Sequence, residues 1–407
     1  MQRQKSKKMR ILLTLSLFAL TLISANAQVT VNEFGKGIDI TDPGSTFSLN
    51  LGFRFQTLMV NEWDVVDDDF SKVSNHSSEF LIRRSRIKMK GFAFSPRLQY
   101  KVELALSNRD LAVVSTETRN TPGLVLDAVV KYEIVKNLDL WFGQTKLPGN
   151  RERIVSSVNL QFVDRSRLNS RFNADRDLGL QLRYKFALGK HIIRPIVSVT
   201  QGEGRNLTIG NPVGGYQYIG KLEWLPLGVF SSKGDYSSGD LKREETPKIA
   251  FAGAFAFNDR TFRSSDQLGD FFTNSEGDYM TFSTKRVFAD VVFKYKGYST
   301  MFEYAKRSAD KEVIIDPFTS DAIGKVYTGE AYNFQMGYLF ENNWEVSGRY
   351  TFVDAKETVV NNETHYTFGL SKFLVGHKLK YQTDISYLDL AGKDDRLVYR
   401  MQFELHF

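Results

Sequence analysis

Four cations share one phase of a short stretch: in FLIRRSRIKMKGF (Phe80 to Phe92), Arg84, Arg86, Lys88 and Lys90 alternate with Ser85, Ile87, Met89 and Gly91. Read as a β-strand, the stretch sets these cations on one side at spacings of about 7 Å. Such a row can hold an anion at successive positions. Strict pleating turns Arg83 to the other side, unless it snorkels to an interface, meets a neighbouring subunit or sits beside a bulge that turns it inward. Glu103, Asp127 and Glu133, in the phase that would face this row from the next strands, could neutralise it, whereas Arg97 and Lys101 would add to it. A second concentration lies in LPGNRERIVSSVNLQFVDRSRLNSRFNADR (Leu147 to Arg176), with Arg151, Arg153, Arg165, Arg167, Arg171 and Arg176 against Glu152, Asp164 and Asp175. Guanidinium groups suit planar, bidentate binding of phosphate or carboxylate. Ile154, Val155, Leu160 and Phe162 could anchor this segment against a wall and narrow a pore; the other reading is an exposed basic loop that binds anionic lipopolysaccharide.

Catalytic and metal chemistry have little to stand on. The five histidines (His76, His191, His365, His377 and His406) are scattered, and none falls in a GxSxG or HExxH context. With no cysteine there is neither a thiolate nucleophile nor a disulfide. Asp67-Asp68-Asp69 lacks the spacing of a calcium loop. No cofactor, metal site or catalytic residue is expected, and the chain reads as a non-enzyme.

The elements that must position the cations begin after residue 27. Residues 1–27 read as a cleaved signal peptide, with a basic start, an apolar run Ile11 to Ile23 and Ala25-Asn26-Ala27 as the cleavage site. The run is too short for a spanning helix, which needs roughly 20 residues. This segment holds five of the 54 Lys and Arg and none of the 47 Asp and Glu, leaving 49 against 47 in residues 28–407. That near neutrality speaks against a nucleic-acid partner.

Residues 28–407 form one unit of period-two segments without a linker. In 46–59 Phe47, Leu49, Leu51, Phe53 and Phe55 occupy one face, and Leu397, Tyr399, Met401, Phe403, Leu405 and Phe407 do the same in the last segment. Sixteen such segments run from 46–59 to 395–407. Short turns (Lys136-Asn137 and Lys296-Gly297 among them) alternate with long polar connections at 60–78, 108–123, 147–176, 201–216, 258–284 and 307–330. The connection 226–247 breaks the rule, being long where a turn is due, as an extended turn or a missed hairpin. Sixteen strands, aromatic residues near strand ends and an aromatic C-terminus predict a transmembrane antiparallel β-barrel rather than a soluble sandwich. A barrel of about that size encloses water, so solute passage is the expected role. A structural or adhesion barrel is the alternative from another class.

FLIRRSRIKMKGF, LWFGQTKLPGNRERIVSSVNLQFVDRSR, RDLGLQLRY, and LEWLPLG with DLKREETPK, taken in that order, resemble the phosphate-selective porin O and P family. The resemblance implies a sixteen-stranded, trimeric outer-membrane porin whose third external loop folds into the lumen, and whose arginine ladder draws anions to a constriction lined by lysine and arginine. Arg83 and Arg84 match the family's paired arginines. Arg153-Ile154-Val155-Ser156-Ser157 resembles its basic-x-x-Ser-Ser run, with Ser156 and Ser157 as the hydroxyls and arginine where lysine is expected. It also implies a long segment at 226–247. An anion preference carries over from the family; phosphate itself does not.

Overall fold

The computed structural model describes residues 28–67, 69, 71–111, 114–120, 122–207, 214–265, 268–356 and 361–407. The expected signal segment 1–27 lies outside them. Among the described residues sixteen strands close one barrel: β1 Phe47–Val65, β2 Val73–Ala93, β3 Ser95–Ala105, β4 Val125–Val135, β5 Leu138–Lys146, β6 Arg176–Tyr184, β7 His191–Thr200, β8 Gln217–Leu225, β9 Lys248–Thr261, β10 Phe282–Tyr295, β11 Tyr298–Ala309, β12 Gly329–Leu339, β13 Trp344–Ala355, β14 Glu363–Val375, β15 Leu379–Leu390 and β16 Asp395–His406. Consecutive strands pair antiparallel, and β16 returns to β1 in register from Asp395↔Val65 to His406↔Arg54. Phe53 and Phe407 seal the seam with two backbone hydrogen bonds of 2.6 and 3.0 Å. Closure leaves no edge for lipid to meet.

The burial pattern separates barrel from sandwich. Along β8, Lys221 and Glu223 are buried, whereas Leu222 is 54% exposed and Trp224 42%. A soluble sheet would do the reverse. Polar side chains fill the interior and apolar ones form the outer wall, with Tyr132, Tyr184 and Tyr338 exposed near strand ends as interfacial girdles require. The turn at Lys296 and Gly297 places both residues at positive φ, 45° and 88°, as a tight two-residue hairpin demands.

Two segments depart from expectation, and a third settles an alternative the sequence left open. The long connection placed at 60–78 is mostly strand: β1 continues to Val65 and β2 starts at Val73, leaving 66–72 between them. Its polarity arises because both faces of the pair are wet beyond the apolar band. An N-terminal hairpin, Gln28–Val31 with Ile38–Thr41, adds to β1 past the end of β16, with Ile38 opposite Leu51. The connection 226–247 is an extended turn that folds inward, since the amide of Ser238 donates to Asn159 O at 2.9 Å and Lys294 Nζ to Ser237 O at 2.7 Å.

A buried acid sits where connection 201–216 leaves β7. Glu203 is fully buried, its side chain accepts from the Thr261 hydroxyl at 3.1 Å and from the Phe262 amide, and burial outweighs both and pushes its carboxyl up to about 8. A folded value above the ordinary one means stability is fullest below about pH 4.5 and declines as pH rises through 8. Glu203→Gln is expected to be more stable than the parent at pH 9 by on the order of a few kcal/mol, unfolding at a higher temperature, and to match it at pH 4. Heat-dependent gel mobility at the two pH values checks this.

Candidate functional site: a cation-lined passage beside an interior loop

Segment 147–175 carries two short helices, α1 Arg151–Ile154 and α2 Arg167–Phe172, joined through a 3₁₀ turn at Ser157–Asn159. Ser166 caps α2, accepting from the Asn169 amide at 3.2 Å. Its own amide and hydroxyl donate to Glu152, which ties the two helices together. The partners of this segment come from strands all round the ring. Arg151 pairs with Asp290 on β10 and lies 3.8 Å from Glu223 on β8. The Glu152 amide donates to Glu303 on β11 at 2.8 Å, Gln161 Nε2 to Glu345 on β13 at 2.9 Å, and the Val163 amide to Asp384 on β15 at 3.0 Å. Only a segment lying across the interior meets so many inward side chains.

The wall is shaped to receive it. A Cβ on Gly337 would come within 2.1 Å of Gln161 Nε2, and one on Gly369 within 3.0 Å of the Phe162 ring. Leu147, Leu168, Phe172 and Ala174 pack onto Ala254, Ala256, Ala305, Ala331 and Ala355, a wall of short side chains on β9 to β13. The segment therefore occupies the half of the barrel lined by β8 to β15. The passage is left on the side of β1 to β6.

On that side a cavity of ≈ 560 Å³ is lined by thirteen Lys and Arg and five Asp and Glu side chains. Each carboxylate is engaged. Arg86 holds Asp110 at 2.6 Å and Glu103 at 2.9 Å; Lys101 holds Asp127 at 2.7 Å, joined by Arg176 at 3.1 Å. Arg153 binds Asp175, and Arg83 and Arg84 reach Asp164 at 3.1 and 3.3 Å. Lys88, Lys131, Lys146, Arg165, Arg183 and Arg205 have no ion pair among the described residues and leave the cavity strongly positive.

Arg83 is the unpaired residue of a bulge: Arg84 faces Gln56 and Ile82 faces Thr57 across the strands, so Arg83 turns inward beside Arg84. Burial works against the Asp164 carboxylate, but Arg83 and then Arg84 outweigh it and hold the group well below its usual range. At Arg165 the balance runs the other way. Burial first, then Arg153, press its guanidinium down to about 9, and it donates only to the Glu152 and Val155 carbonyls, at 2.9 and 2.8 Å. Arg165 stays charged at neutral pH and would gain from a bound anion.

Of the residues singled out in the sequence, Arg83, Arg84, Arg86, Lys88, Arg153, Ser156, Ser157, Arg165 and Arg176 line this cavity. Lys90 lines the adjoining space toward the short turns. Ser157 is buried and accepts from Arg54 at 2.6 Å, so Ser156 is the freer hydroxyl. Arg151, Arg167 and Arg171 do not reach the cavity. Arg167 and Arg171 both bind Glu363 on β14 and, like Arg151, serve as anchors. Lys146, Arg183 and Arg205 were not singled out. Lys146 closes LWFGQTK and caps the carbonyls of Ile154 and Val155 at 3.2 and 3.0 Å.

A closed sixteen-stranded barrel with an apolar exterior and a charged, water-accessible interior has the architecture of an outer-membrane porin. The model of the phosphate-selective porin O and P family matches residues 55–237, so the family resemblance is borne out over that span. No curated protein sequence matches the chain. Among solved structures it is similar to loop-L8-deleted OmpT, an outer membrane protein of Vibrio cholerae (9% identity, TM-score 0.55, covering 89% of this chain and 100% of that one). An anion-selective porin of Comamonas acidovorans (11%, 0.53, 89% and 100%) and the outer membrane channel DcaP of Acinetobacter baumannii (13%, 0.51, 90% and 99%) share the barrel as well. At such identities the likeness is one of fold.

Proposed function

We propose that this porin lets small anions, inorganic phosphate among them, diffuse passively through the cavity beside segment 147–175. The observation that carries the reading is the excess of cations there: five carboxylates, all engaged, leave six cations without an ion pair. Low-dielectric walls focus such a field and raise the local concentration of anions. Segment 147–175 acts as the constricting third external loop. Arg153 and Ser156, with Arg165 close by, form the narrow part, and Arg83 to Lys90 form the approach. The mature chain starts at Gln28 after signal cleavage and assembles as a homotrimer in the outer membrane, with lipid and lipopolysaccharide around it. No cofactor or energy source takes part.

Titrating inorganic phosphate into a bilayer that carries chloride current through the reconstituted protein separates phosphate binding from general anion passage. Phosphate in the millimolar range is expected to reduce the chloride conductance by half or more, at a midpoint set by a binding free energy of about −4 kcal/mol. A conductance that simply adds the two ions' mobilities would leave a general anion porin.

A further inference from the structure

The wall of β4 to β6 holds its cations in a second way. Trp141 on β5 stands in register between Lys131 on β4 and Gln181 on β6. Lys131 Nζ lies 3.7 Å from the centre of the indole ring, and the guanidinium of Arg183 4.4 Å. Neither cation makes an ion pair among the described residues. Asp127 is taken by Lys101 and Arg176, and Asp139, opposite Arg183, makes no ion pair with it. Arg183 otherwise donates to Gln181 Oε1 at 2.7 Å. The indole Nε1 is buried and has no hydrogen-bond partner, so the ring is present for its face rather than for its donor.

Elsewhere on this wall Arg176 is fixed by the Asp127 carboxylate, which cancels its charge, and Lys146 by the carbonyls of Ile154 and Val155. An aromatic face attracts a cation through its quadrupole and brings no opposing charge. We propose that Trp141 is a positioning residue that pins Lys131 and Arg183 as un-neutralised positive charge, and so sets the anion preference of the passage below Arg165. Lys88, lining the same cavity, and Lys101 continue the path into the space at the short-turn end, which Lys131 also lines. The inference rests on the anion-passage reading and names a determinant outside the arginine-rich loop.

The test compares reversal potentials of the reconstituted parent, Trp141→Phe, Trp141→Leu, and Trp141→Leu in a Lys131→Gln/Arg183→Gln background. Trp141→Leu is expected to lower the chloride-over-potassium permeability ratio about threefold, and Trp141→Phe, which keeps a π-face, to retain most of it. In the double-glutamine background the leucine should add no further loss. A parental ratio in Trp141→Leu overturns the proposal, as does an equal drop in the double-glutamine background, which would make the ring merely structural. If Trp141→Leu does not assemble, Lys131→Gln alone decides: an unchanged ratio overturns the proposal. A parent without anion preference fails the passage reading and this inference together, whereas an anion-selective parent with an indifferent Trp141 fails this inference alone.

Discussion

Arg165→Ala is expected to lower the chloride-over-potassium permeability ratio of the open channel about fivefold, because one uncompensated charge some 6 Å from a passing ion contributes on the order of 1 kcal/mol at intermediate dielectric. Arg165 differs from Lys88, Lys131, Arg183 and Arg205 in lying on the interior segment itself. It lines the cavity, lacks an ion pair, and is held by two carbonyls of its own segment, so its removal takes away charge without orphaning a carboxylate. Asp164→Asn should move the ratio upward, since it releases Arg83 and Arg84 from their shared partner. Opposite shifts from adjacent residues are hard to obtain from a general loosening of the loop. Reversal potentials in a KCl gradient report both.

The second large effect is mechanical. Arg151 is completely buried between Asp290 and Glu223, and its side chain also donates to the Asp235 carbonyl of the inward turn at 3.1 Å. Truncation takes the nearest cation from Asp290 and leaves Lys221 alone beside it at 3.7 Å, while Glu223 keeps Lys221 and Arg194 at 3.5 and 3.4 Å, a loss of roughly 3 kcal/mol for a broken buried pair with remaining partners. Arg151→Ala is therefore expected to unhook the start of segment 147–175 from the far wall. Single-channel conductance should rise and anion preference fall, with a lower unfolding temperature on gels. Arg151→Ala with parental conductance and heat stability would show that the segment is held by its apolar seat alone.

These arginines show how far the sequence could be read. The barrel was evident because alternation repeats strand by strand: along Gln217–Leu225 Lys221 and Glu223 alternate with Tyr218, Leu222 and Trp224, and burial follows the same period. The inward turn of Arg83 was one of three options left open by pleating, and the bulge decided it. Within LPGNRERIVSSVNLQFVDRSRLNSRFNADR, however, arginines that look alike in sequence divide into anchors and pore lining. The division depends on Asp290, Glu223 and Glu363, carboxylates that lie far along the chain but directly across the barrel. No local pattern encodes that. Trp141 carries no mark in the sequence for a related reason: its inward phase matters only once Lys131 and Arg183 flank it. The hairpin at 28–41 was missed because its strands are four residues long and largely exposed, too short for alternation to register.

The most direct measurement is the reversal potential of the unmodified protein in a planar bilayer separating tenfold different KCl concentrations. A cavity with thirteen cations and five engaged carboxylates predicts a potential on the chloride side of zero, shrinking as salt rises and screening shortens to a few ångströms. A potential at zero, or on the potassium side, would contradict it.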